Sequence, residues 1–170
     1  MKSPRRRSRE FALQALYQWQ MTGQELADLH KQYAEVEGFD KANAPLFLTL
    51  LKGVVEASQD LADKLAPHLD RTWAEVSPIE RSILWIGAFE LVSQVETPYR
   101  VVLNEAIELA KSFGGTDGHR YVNGVLDKLA AVVRADEITY QAENEVPHKP
   151  RNPAKVVVRP RRVPKEQAPE

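Results

Sequence analysis

Apolar residues return at intervals of three and four through most of this chain, and no window alternates strictly between apolar and polar with hairpin turns on either side. That period places apolar side chains on one stripe of successive α-helices and gives strands little support. From Pro4 to Met21 the first stripe is Phe11, Ala12, Ala15, Leu16 and Trp19; Pro4 suits a first helical position and Gly23 a stop. Leu26, Leu29, Tyr33 and Val36 repeat the pattern up to Gly38. Pro45 opens a third run, with Leu46, Phe47, Leu50, Leu51, Val54 and Leu61, that ends near Pro67.

The second half is punctuated more sharply. Ser77-Pro78-Ile79-Glu80 combines a capping box with proline at the first helical position, ahead of Ile83, Leu84, Ile86, Ala88, Phe89 and Leu91. Thr97-Pro98 repeats the cap pattern before VVLNEAIELAKSF, and Gly114-Gly115 ends that helix before Thr116 or Asp117 caps the next. Val122, Val125, Leu126, Leu129 and Val132 form the last stripe. The expectation is an all-α fold of about seven helices over residues 1–135. From about Asp136 the periodic face ends, and six of the eleven prolines fall between Pro147 and Pro169 among lysines and arginines. Such a segment buries too little surface to offset its ordering entropy, so 136–170 reads as a basic, proline-rich disordered tail whose one β-branched run is Val156 to Val158.

One domain and a tail suit 170 residues. Lys and Arg number 23 against 24 acids, so a nucleic-acid site has to come from local clustering of charge. There is no cysteine, which excludes disulfides and thiolate metal sites and is compatible with a reducing cytoplasm. His30, His68, His119 and His148 lack metal-ligand spacing. The arginines near the start precede an amphipathic segment rather than the apolar core of a signal peptide, and no stretch has the length of a membrane span.

Arg5, Arg6, Arg7 and Arg9 form the densest charge cluster, at the positive end of the first helix, where the macrodipole opposes them. An anion bound there would relieve that conflict, since guanidinium forks and free helix amides both suit phosphate. A solvated, frayed terminus is the other reading. Arg6 and Tyr17 fall within ~20° of each other around the helix and ~16 Å apart along it, so Tyr17 could stack a base while the arginines hold phosphates. It could equally be a packing residue at the edge of the stripe. Glu105 and Glu108 are one turn apart, but Glu108 with Lys111 reads as an exposed ionic surface over a core face of Leu103, Ile107 and Ala110. Asn104 and Asn123 suggest a hydrogen bond between helices or a partner surface. FGGTDGH lacks a phosphate-loop lysine, and no nucleophile elbow is present, so no enzymatic reading has an anchor and no cofactor is expected.

With these segments in view, the sequence resembles the NusB family of bacterial transcription antitermination factors over roughly residues 4–134. The resemblance rests on RRRSREFALQALYQWQ, on ERSILWIGAFEL and above all on VVLNEAIELAKSFGGTDGHRYVNGVLDKLA. It implies two packed helical subdomains, no catalytic activity, a cytoplasmic location away from membranes, and binding of single-stranded boxA leader RNA. The implied partners are NusE, a ribosomal small-subunit protein, and the elongating RNA polymerase complex on ribosomal RNA operons. By position, Arg5, Arg6, Arg7 and Arg9 match the family's RNA-binding motif and Tyr17 its aromatic neighbour. Asp117 and Tyr121 fall beside the same RNA surface, and Glu80 where the family has a partner-facing or RNA-proximal acid. Trp85 stands where a basic residue is common, and the proline-rich extension has no counterpart in compact members. NusB-like domains also precede RNA methyltransferase domains, but the residues after the helical part lack the strand and helix alternation of a cofactor-binding α/β domain. A pure protein-interaction module is the third reading.

Overall fold

The computed structural model describes residues 1–144, and these form seven α-helices joined by short 3₁₀ turns, with no strand among the described residues. They are α1 (Pro4–Thr22), α2 (Leu26–Ala34), α3 (Ala44–Leu65), α4 (Pro78–Ser93), α5 (Tyr99–Phe113), α6 (Gly118–Val133) and α7 (Ala135–Asn144). Pro4 and Gly23 bound the first helix as expected, and side-chain caps fix the starts of α1 and α3. Ser3 caps α1 by accepting the Arg6 N–H, Pro4 follows it, and Gly23 ends the helix at φ 65°, its N–H donating to the Trp19 carbonyl at 2.9 Å. Asn43 caps α3 through the Leu46 N–H at 3.0 Å.

Helix α4 organises the rest. Every residue from Ser82 to Leu91 is buried, because α1, α3, α5 and α6 all pack on it. Two crossings need glycine: a Cβ on Gly53 would lie 2.2 Å from the Phe89 ring, and one on Gly87 2.5 Å from Leu126. A single apolar core therefore runs from α1–α3 through α4 into α5 and α6. The start of α1 is tied to the start of α3, 35 residues away: the Ser8 hydroxyl donates to the Asn43 carbonyl at 2.7 Å and accepts the Asn43 N–H at 2.8 Å.

Four local expectations differ from the structure. Helix α2 stops at Ala34, leaving Val36 exposed, and the chain turns at Gly38 (φ 86°) to bury Phe39 against Phe11 and Phe47. Ser77 accepts the Glu80 N–H, but the Glu80 carboxylate lies against Gly118 instead of returning the bond. Thr97 does not cap α5; the Tyr99 N–H donates to Glu137 of α7 at 3.0 Å. Residues 136–144, placed with the disordered tail by composition, belong to α7, with Ile138 packed on the core. The proline-rich run and Val156 to Val158 lie outside the described residues. None of the described helices is long and apolar enough to cross a membrane.

Candidate nucleic-acid interface

The four arginines at the start of α1 separate according to helical phase. Arg9 is in register with Ala12, Leu13 and Leu16, so it faces inward and is only 2% exposed. A guanidinium taken out of water needs compensation. Arg9 finds it in Glu90 of α4, itself 1% exposed: Nε donates to both carboxylate oxygens at 3.1 Å and Nη2 to Oε1 at 2.8 Å. Arg9 is thus a core residue, set apart from the exposed cluster expected from sequence. Arg6, one turn earlier, donates through Nε and Nη2 to Oε2 and Oε1 of Glu105 on α5, both at 3.1 Å, and Arg9 Nη1 lies 3.8 Å from the same carboxylate. The hydrogen bonds and charge of Glu105 raise the pKa of the Arg6 guanidinium. Arg5 is exposed and Arg7 half-buried, and neither has a carboxylate partner among the described residues.

Farther along α1, Tyr17 is 39% exposed at the rim of an apolar groove of about 400 Å³, beside Leu13, Met21, Ile79 and Phe113. Its ring is thus partly open to solvent. Asp117 occupies the N-cap position of α6, as one of the two residues expected there, but it is exposed and its side chain makes no capping bond. Tyr121, one turn into α6, is half-buried, with the Arg71 guanidinium 4.3 Å from its ring centroid. Arg71 is held by Asp70 at 2.7 Å, which keeps the Asp70 carboxyl below its ordinary pKa. The Tyr121 hydroxyl is buried without a hydrogen-bond partner, and burial, with the Asp70 charge nearby, pushes its pKa up. Glu80 sits between these elements, its Oε1 3.1 Å from where a Gly118 Cβ would be. Glu80, at the start of α4, therefore lies beside the start of α6, the helix that carries Tyr121 and follows Asp117, while Arg9, on the same helix as Arg5, Arg6 and Arg7, meets Glu90 near the other end of α4.

Sequence reasoning missed the residues that organise the charges. Glu90 lies inside an apolar helix run, a signal that it needs a buried partner. The spacing of Glu105 suggests an exposed ionic face; Glu108 and Lys111 do pair there at 3.8 Å, but the Glu105 side chain is 16% exposed and reaches across to α1. Arg134, 5% exposed, donates to the carbonyls of Glu90, Leu91, Gln94 and Thr97 at 2.7–3.1 Å and closes the C-terminal end of α4. Burial alone would raise the pKa of Glu137, but the Tyr99 N–H and Arg134 outweigh it and hold the carboxyl below 4.5. Trp85 is buried between Trp19 and Trp73, its indole N–H donating to the Ser58 carbonyl at 3.0 Å, so this position is part of the core. Asn104 and Asn123 are both exposed.

The NusB family model matches residues 6–131. The transcription antitermination protein NusB of Nitrosomonas europaea is 56% identical over 139 residues, covering 82% of this chain and 83% of that protein. Its counterpart in Dechloromonas aromatica is 53% identical over 137 residues, covering 81% and 84%. Among solved structures, T. maritima NusB superposes with a TM-score of 0.68 at 30% identity, over 78% of this chain and 94% of that one. A crystal structure of antitermination factors NusB and NusE in complex with dsRNA shares the fold at a TM-score of 0.66 and 23% identity, over 76% and 97%. The helical order, the arginine-rich start of α1 and these similarities converge: this chain belongs to the NusB family of transcription antitermination proteins, which are not enzymes.

Proposed function

We propose that this protein binds boxA-type single-stranded leader RNA through the α1 end of its surface, together with NusE, and joins the elongating RNA polymerase complex on ribosomal RNA operons in the cytoplasm. The observation that carries this reading is the division of the arginines. Arg5 and Arg7 have no carboxylate partner among the described residues, and Arg6 keeps part of its guanidinium free at the same helix end, where phosphate is favoured. Tyr17, farther along the same helix, offers a ring flank for stacking. Asp117 and Tyr121 extend the RNA path past α5, and Glu80 lies where NusE or the RNA would pass. The NusB and NusE complex with dsRNA supports the pairing of these partners.

Titration of labelled boxA-like RNA, with and without the ribosomal partner, tests this directly. Tight binding that strengthens with the partner supports the reading; a protein that binds the partner but never RNA would be the pure interaction module. In the Arg6→Ala/Arg7→Ala variant, affinity falls and the dependence on log salt flattens by about 0.7 per lost single-strand phosphate contact. Wild-type affinity and slope in that variant would remove the arginines from the RNA site.

A further inference from the structure

The ion pairs of α1 form a ladder that climbs from the core to the surface: Glu90 holds Arg9, Arg9 touches Glu105, and Glu105 holds Arg6. Exposure rises along it, from side chains 1% and 3% exposed at Glu90 and Arg9 to 16% at Glu105 and 36% at Arg6. The bidentate pairs at either end, Arg9 with Glu90 and Arg6 with Glu105, fix the planes of both guanidinium groups, and between them Arg9 draws the Glu105 carboxylate by charge at 3.8 Å. At the outermost rung, Glu105 takes one edge of the Arg6 guanidinium, the Nε and Nη2 edge. A guanidinium has five N–H donors in a rigid plane. The edge formed by Nη1 and the second hydrogen of Nη2 therefore has no partner among the described residues and matches two phosphate oxygens.

The geometry points to Glu105 as a positioning residue for RNA: it holds Arg6 edge-on so that the remaining edge is preset for a backbone phosphate. The inference rests on the RNA-binding reading of Arg6 given above. It makes a prediction opposite in sign to simple electrostatics. Glu105 is negative, so if it only repelled phosphate or competed for Arg6, its neutralisation would tighten RNA binding. If it positions Arg6, neutralisation weakens binding, since the long arginine side chain must then be ordered by the RNA itself.

The test compares wild type, Glu105→Gln, Arg6→Ala and the double variant in titrations with a boxA-like RNA oligonucleotide, with thermal melts of each. Glu105→Gln is expected to lower affinity about two- to tenfold, the ordering cost of one such side chain, and to have no further effect when Arg6 is already alanine. Arg6→Lys, at the exposed end of the ladder, keeps the charge but not the planar fork, and should bind nearly as weakly as Arg6→Ala. Unchanged or tighter binding by Glu105→Gln would overturn the inference, as would a loss that persists undiminished in the Arg6→Ala background, which is what a general folding defect produces. Arg6→Ala with wild-type affinity would instead overturn the RNA-binding reading of Arg6 itself.

Discussion

The two ends of α4 treat arginine in opposite ways. At its C-terminal end Arg9 and Arg134 are both buried, the first closed by carboxylates and the second largely by backbone carbonyls at and just beyond the helix end. At its N-terminal end Arg71 lies on the surface, over the Tyr121 ring and beside an exposed aspartate. Local arginine density therefore does not measure the charge offered to a partner. Of the four arginines that begin α1, one is structural, one is shared between structure and surface, and two are left to the surface.

The largest expected break in this comparison is Arg9→Ala, which strands Glu90 in the core. It should cost about 3–5 kcal/mol in denaturant unfolding, whereas replacing both partners with apolar residues, as in Arg9→Met with Glu90→Leu, should be near neutral or stabilising. If Arg9→Ala unfolds like wild type, the pair is not sealed from water. Arg134→Ala comes next, at about 1–3 kcal/mol, because water can reach only some of the carbonyls it leaves. Its partner Glu137 supplies a pH handle. A carboxyl whose pKa is depressed on folding contributes stability in full above its unfolded value, near 4.5, and loses it as pH falls through the folded value. Melts of wild type and Glu137→Gln should therefore differ at pH 7 and converge as acid takes the pH down through the folded value of Glu137, below 4.5; a constant gap would mean that the charge of Glu137 is irrelevant. The smallest effects belong to the N-terminal end of α4. Arg71→Ala should leave the thermal melt nearly unchanged, because exposed ion pairs contribute little to stability. Asp117→Asn should leave the melt unchanged and tighten RNA binding most at low salt, and equal affinity at all salt concentrations would place Asp117 off the RNA path.

Much of this was legible in the sequence, and what was not has identifiable causes. Stripes at three and four placed the first six helices, because apolar phase and caps such as Pro4, Gly23 and Ser77-Pro78 act locally. Arg9 carried a local signal as well: it falls three, four and seven residues before Ala12, Leu13 and Leu16, on the buried phase, yet its charge suggested surface. Its partner Glu90 is 81 residues away, and no spacing rule joins the two. Helix α7 was obscured by its proline-rich neighbour, although Asp136 and Glu137 are acids suited to a first helical turn. How Tyr17 and Tyr121 divide their rings between packing and exposure depends on Phe113 and Arg71, which arrive from other elements.

The charge ladder also imposes an order on synthesis. Arg6 leaves the ribosome 99 residues before Glu105, and Arg9 leaves 81 residues before Glu90. At about 5–20 residues per second, the outer pair cannot form until roughly 5–20 s after its arginine is made. Through that interval α1–α3 lack the helix that completes their core and the acids that neutralise their inward charge, so this half should gain protease resistance only once α4 and α5 have emerged. The surface proposed to meet RNA is thus set in place by some of the last contacts the nascent domain makes.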